Sequence, residues 1–221
     1  MFDGMGSIDA VNTVETPNEF AYGMGATAEL TEFAADREVQ SALVVTDDIV
    51  LEAGAVDPVF DALEAADVDV STFDEVEPEP KIKIATAAAE QLEATDADLV
   101  LGVGGGSSMD TAKFASVLAE HDHSPRELLG MGTVPGPGRP AVLLPTTAGT
   151  GSEVSHIGVF ADSTDGGIKK VVYSEHLFAD LAIVDPELTR TMPPGVAAAT
   201  GMDALSHAIE CYVSTERTPY T

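Results

Sequence analysis

The sequence predicts an α/β protein: a Rossmann-like parallel sheet with a glycine loop suited to an anion, followed by the first helix of a new domain. Three observations point there. Short β-branched runs alternate with helical patterns along most of the chain. One run, "LVLGVGGGSSMDTAK", passes directly into glycines and a helix. The composition then shifts at Pro193 and Pro194, after which one helical pattern stands alone. The boundary is therefore set there, with an α/β domain over 1–192 and the start of a further, helical domain over 193–221.

The elements follow in order. "SALVVTD" (41–47) is a buried-looking strand ending in an acid. "PVFDALEAA" (58–66) places Val59, Phe60, Leu63 and Ala66 on one helical face. "VDVSTF" (68–73) is a second strand, followed by the acidic, proline-bearing connector "DEVEPEPK". "IATAAAEQLEA" is helical, "ADLVLGVGGG" a strand, "SMDTAKFASVLAE" a helix, and "AVLLPTT" and "LAIVDP" are further strands. Alternation of this kind closes into a parallel sheet with helices on both faces. From Gly195 to Val213 the pattern is helical, with Val196, Ala199, Leu205, Ala208, Ile209 and Tyr212 as the expected buried stripe.

Thirty-eight acids against ten bases give a net charge of −28 over 221 residues, yet 44% of residues are hydrophobic. Mean hydropathy is +0.11, so the acids read as a coat on a folded protein rather than as a sign of disorder. Such a coat suits a halophilic cytosol, where concentrated salt screens the self-repulsion. It excludes nucleic acid as a partner, because phosphate contacts need clustered basic residues. No apolar run approaches the length of a membrane span, and the N-terminus has no basic region leading into an apolar one. One cysteine, Cys211, rules out an internal disulfide, and its apolar helix suggests a core position. A cytoplasmic protein is the expectation.

Several residues carry chemistry. The glycines before "SSMDTAK" let backbone approach an anion, and the helix start supplies free N–H groups. The common dinucleotide fingerprint asks for glycine at position 107, which is Ser107, so the simple Rossmann motif fails in detail while anion binding survives. A tight turn with Ser107 or Ser108 as helix cap explains the same residues. Asp110 reads as a structural cap or as a group facing a polar ligand. Asp47, at a strand end, is placed to accept hydrogen bonds from an adenosine ribose, which favours NAD over NADP; a turn aspartate is the plainer alternative. "LPTTAGTGSEVSH" (144–156) is rich in hydroxyls that suit diphosphate or ribose contacts, or form a turn. Asp203 and His207 share a helical face at i, i+4 and could ligate Fe2+ or Zn2+, or form a surface ion pair.

Taken together and in this order, "LVVTD", "FDEVEPEP", "GVGGGSSMDTAK", "LPTTAGTGSEVS", "AIVDPELTRTMPP" and "TGMDALSHAIECYVS" resemble the iron-containing, or group III, alcohol dehydrogenases. The resemblance runs from about residue 20 to the end. It implies an N-terminal domain holding NAD(P) and a helical domain holding a divalent metal, Fe2+ or Zn2+, in the cleft between them. Gly105, Gly106 and Ser107 resemble the family's pyrophosphate loop and Asp47 its ribose acid. Thr146, Thr147 and Thr150 resemble residues lining the pyrophosphate and nicotinamide. Lys170, with Lys169 beside it as the other candidate, resembles a lysine reaching the nicotinamide-side ribose. Asp203 and His207 resemble two of four metal ligands, one aspartate and three histidines, the other two lying beyond Thr221. The implied reaction is metal-assisted hydride transfer between an alcohol and an aldehyde or ketone, on a small-molecule substrate, with a homodimer open. The resemblance supplies no catalytic residue beyond the metal site.

Related enzymes share parts of this pattern. Glycerol-1-phosphate dehydrogenase and dehydroquinate synthase carry a similar glycine loop and metal-binding helical domain, but "PTTAGTGSEVS" and "GMDALSHAIE" look like the alcohol dehydrogenase versions. The Asp203/His207 pair counts against metal-free maleylacetate reductases. A nucleotide-binding module without activity is the reading from a different class.

Overall fold

The structure, a computed structural model, describes residues 14–162 and 166–215. Its main body is a six-stranded, wholly parallel sheet. The strands are β1 (Glu19–Tyr22), β2 (Ser41–Val45), β3 (Asp69–Phe73), β4 (Leu99–Gly104), β6 (Ala141–Pro145) and β9 (Leu181–Val184), in spatial order β1-β9-β6-β4-β2-β3. Alternate strand residues feed two separate cores, as the period-2 geometry of a strand requires. Leu43, Val45, Val100 and Leu143 pack on one face with α4 (Ile82–Ala94) and α5 (Gly106–Leu118). Ala42, Val44, Leu101 and Leu144 pack on the other with α1 (Glu29–Asp36) and α3 (Asp57–Ala65).

The predicted strands and helices of this body are all present. Burial of Val59 and Leu63 on α3 follows the expected stripe. Beyond the predicted elements the structure has β1 and a smaller three-stranded sheet, β5 (Gly130–Met131), β7 (Ile157–Asp162) and β8 (Ile168–Tyr173), in the order β5-β8-β7.

The helix leaving β2 lies on one face of the sheet and the helix leaving β4 on the other, although β2 and β4 are neighbours. Their diverging connections open a crevice at the carboxyl ends of the two strands, the usual ligand position in such sheets. The glycine loop and Asp47 both stand at that crevice.

The last helix, α6 (Pro194–Val213), starts where the prolines predict, with Pro193 at the N-cap and Pro194 in the first turn. Its expected buried stripe does not exist. No residue of α6 is buried, and Leu205, Ile209 and Tyr212 are 50–69% exposed. Cys211 is likewise exposed rather than in a core. The apolar pattern is real, but the described residues provide nothing for that face to pack against. No described helix is long and apolar enough to cross a membrane.

Candidate functional site

Two cavities meet at the N-terminus of α5. The first, of about 390 Å³, is lined by Asp47, Gly105, Ser107, Ser108, Thr146 and Thr147, with Met192, Pro193 and Val196 closing it from the start of α6. The second, of about 580 Å³, is lined by Gly106, Ser107, Asp110, Thr150, Lys169, Asp203 and His207 among others. Ser107 borders both, so the glycine loop is the ridge between them.

The loop is built by close contact. Gly102 lets α5 lie directly on β4: a Cβ there would stand 2.8 Å from Leu143 Cδ2 and 2.9 Å from the Met109 Cα. Gly104 takes a φ of +150°, open only to glycine at low cost, and a Cβ would meet Ser108 Oγ at 2.5 Å. Gly106 has Thr150 within 2.9 Å of where its Cβ would be. Gly105 differs, because the nearest atom to its own virtual Cβ is Thr147 Oγ1 at 3.7 Å. Gly105 is the N-cap of α5 and makes no side-chain cap bond, so neither Ser107 nor Ser108 caps the helix. The first N–H groups of α5 thus stay available at a positive dipole end. Ser108 Oγ, on the lining of the first cavity, is buried without a hydrogen-bond partner. Free helix N–H groups, an unpartnered hydroxyl and a side chain-free loop fit a phosphate-bearing ligand.

Asp47 stands just beyond β2 and caps α2 (Asp48–Glu52), accepting from the Val50 N–H at 2.9 Å. One carboxylate oxygen is thereby occupied, and the side chain still borders the first cavity. Thr146 continues β6 through its N–H to the Gly104 carbonyl at 2.8 Å, which locks the hydroxyl-rich loop beside the glycines. Thr146 and Thr147 face the first cavity and Thr150 the second.

Of the two adjacent lysines on β8, Lys169 borders the second cavity and is 2.9 Å from Glu79. Lys170 is opposite Phe160 in the β7–β8 ladder and is not among the residues lining that cavity. Successive strand residues point to opposite faces, which sequence alone could not register against this cavity.

Asp203 and His207 face the second cavity from α6, with Asp203 Oδ1 3.8 Å from His207 Nε2. Both side chains are about half exposed. A carboxylate oxygen and an imidazole nitrogen suit Fe2+ or Zn2+, but two ligands leave most of a coordination sphere to other groups. Among the described residues no cluster of three or more His, Cys, Asp or Glu is placed to hold a metal. His121 contacts the Gly136 and Pro137 carbonyls, and His156 is packed against the Tyr173 and Phe178 rings.

Asp110 neither caps the helix nor stands free. It accepts from Ser152 Oγ at 2.6 Å and from the Val159 N–H at 2.9 Å, and pairs with the Lys113 ammonium at 3.0 Å. Lys113, which the sequence reading did not single out, is completely buried. Burial pushes its pKa below the ordinary lysine range, opposed by Asp110 and more weakly by Glu153. Burial in turn raises the Glu153 carboxyl above its usual range.

Comparison with known proteins accords with this arrangement. The chain is 43% identical over 200 residues to long-chain-alcohol dehydrogenase 1 of Geobacillus thermodenitrificans, covering 89% of this chain and 50% of that protein. Its fold matches a crystal structure of 1,3-propanediol oxidoreductase with a TM-score of 0.90 and 34% identity, covering 96% of this chain and 55% of that one. It also matches sulfoacetaldehyde reductase from Bifidobacterium kashiwanohense, solved in complex with NAD+, with a TM-score of 0.84 and 34% identity, covering 93% of this chain and 54% of that one. The chain spans about half the length of the curated relatives it matches. Residues 17–186 match the family described as iron-containing alcohol dehydrogenase, and by that match the chain belongs to the family.

Proposed function

We propose that the chain is the nucleotide-binding part of an NAD-dependent alcohol dehydrogenase that uses a divalent metal, Fe2+ or Zn2+. The observation that carries this reading is the pair of cavities joined at the glycine loop, with Asp47 at one end and Asp203 and His207 at the other. A dinucleotide laid across Ser107 sets its adenosine half toward Asp47 and its nicotinamide half toward Asp203 and His207. Gly105, Gly106 and Ser107 offer N–H groups to the diphosphate, and Thr146, Thr147 and Thr150 offer hydroxyls along the same path. Asp47 accepts from a ribose hydroxyl and repels the 2′-phosphate of NADP. Either Lys169 or Lys170 can serve the nicotinamide-side ribose, and the cavity lining favours Lys169.

Asp203 and His207 would hold the metal together with ligands from elsewhere, and such an ion supplies Lewis-acid polarisation of an alcohol oxygen. The nicotinamide supplies the hydride acceptor. The protein's own share is to align the carbinol carbon with the ring and to keep water out. Met192, Pro193 and Val196, at the start of α6, cover the adenosine half in the first cavity. The boundary near 192–194, the cytosolic and halophilic setting and a homodimeric state belong to the same proposal, supported by the composition shift, the uncovered face of α6 and the acidic surface.

Calorimetric titration of the 221-residue chain tests the reading. NAD+ binds and NADP+ binds at least about tenfold more weakly, and Asp47→Asn narrows the gap. Failure to bind either nucleotide overturns the proposal. A nucleotide module without activity is the second reading, favoured by the two-ligand metal site; the titration succeeds under both readings, and alcohol-dependent NADH formation once the remaining metal ligands are supplied separates them.

A further inference from the structure

The wall of the second cavity is hung from two buried residues of α5. Lys113 Nζ donates to the Ile157 carbonyl at 2.6 Å, the Ser152 carbonyl at 3.1 Å, and the carbonyl and hydroxyl of Ser155 at 3.4 Å. Asp110 holds Ser152 Oγ at 2.6 Å and the Val159 N–H at 2.9 Å, and binds Lys113 itself at 3.0 Å. Every one of those outside partners (Ser152, Ser155, Ile157 and Val159) lines the second cavity. The stretch from Thr147 to His156 makes few other hydrogen bonds to the rest of the molecule. Its backbone bonds are local, Val154 to Gly151 and Ser155 to Ser152, apart from the Ser174 N–H on the His156 carbonyl.

A buried ion pair is a poor source of stability, since apolar residues of similar volume often do as well. What it does well is choose one arrangement, because an ammonium among carbonyls tolerates little displacement before a buried group is left unsatisfied. Here the rigid partner is the helix that starts at the glycine loop, and the held partner is the opposite wall of the cavity.

We propose that Asp110 and Lys113 are a positioning pair that sets the 152–159 wall at a fixed distance from the glycine loop, and so fixes how the far half of a bound dinucleotide is held. The proposal rests on the nucleotide reading above. It separates the two halves of the ligand. The adenosine half lies on the Asp47 side, which the pair does not touch, whereas the nicotinamide half lies along the wall that the pair supports.

The test compares NAD+ with AMP on the 221-residue chain by calorimetry, using Ser152→Ala and the charge-free double variant Asp110→Asn with Lys113→Met. The expected result is an AMP affinity within about twofold of wild type and an NAD+/AMP affinity ratio lowered about threefold by Ser152→Ala and tenfold or more by the double variant. General loosening of the fold would lower both affinities together, so the ratio distinguishes positioning from support. A ratio unchanged in any variant that still binds AMP overturns the proposal. Should the double variant fail to fold, Ser152→Ala, which removes one hydroxyl, decides alone. If wild type binds neither ligand, the nucleotide reading itself fails.

Discussion

Asp185 shows how one side chain can close a sheet at its edge. It accepts from the Gly25 and Thr27 N–H groups, the Thr27 hydroxyl and the Glu187 N–H, all within 3.1 Å, and so ties the end of β9 to the turn after β1. Burial alone, the largest single influence, pushes its pKa up, but the hydrogen bonds together outweigh it and hold the carboxyl below its usual range. A carboxyl with a lowered folded pKa contributes stability above its unfolded pKa, near 4, and loses it as pH falls through the folded value. Asp185→Asn is therefore expected to lower the urea midpoint at pH 7, and the gap to wild type should shrink by pH 3. A gap that stays constant over that range would show that the charge of Asp185 is not involved. The residue was legible as part of "AIVDPELT", but its four donors come mostly from residues 160 positions away, which no local pattern encodes. Lys113 is the opposite case. Its i, i+3 spacing from Asp110 was in plain view, and only the packing of β7 and the 152–155 turn over it reveals that it is buried.

At the scale of elements, the glycines before α5 divide into packing and approach. Gly102 serves the contact between α5 and β4, so Gly102→Ala must displace backbone and is expected to cost about 1–3 kcal/mol. Gly105 has room for a methyl and a φ of −78°, so Gly105→Ala should change stability by less than about 1 kcal/mol while weakening nucleotide binding. Urea denaturation with NAD+ titration measures both, and equal stability losses would contradict the division. The strands of the main sheet were readable because residues buried on both faces form continuous apolar runs. The smaller sheet was not, because β8 reads Ile-Lys-Lys-Val-Val-Tyr and most of it is exposed. β1 has only four residues at a sheet edge, too short for a period to register. On α6 the apolar pattern is present but unburied, because periodicity reports which face is apolar and not whether anything covers it.

For the molecule as a whole, the charge of −28 is what the proposed halophilic setting rests on. Among the described residues few acids have a basic partner, and several of those ion pairs, such as Glu19–Arg37 and Glu77–Lys81, are exposed. Self-repulsion across the surface is then a standing cost at ~0.1 M salt, where the Debye length is ~10 Å, and is largely screened above 1 M. Raising KCl from about 0.1 M to 3 M is expected to raise Tm by roughly 4–8 °C, on the order of 2 kcal/mol at this chain length. A Tm indifferent to salt would remove the halophilic assignment. By itself the sequence determined the parallel α/β body, the glycine loop at a strand–helix junction, the change at Pro193–Pro194 and the paired Asp203 and His207, because each follows from periodicity or spacing within a short window. Only the tertiary structure decided that Asp47 and His207 border two cavities that share Ser107, that Lys169 rather than Lys170 lines the second, and that α6 stands uncovered. Those facts depend on strand order, strand facing and what lies opposite a surface, and contacts between residues far apart in the chain leave no trace in local pattern.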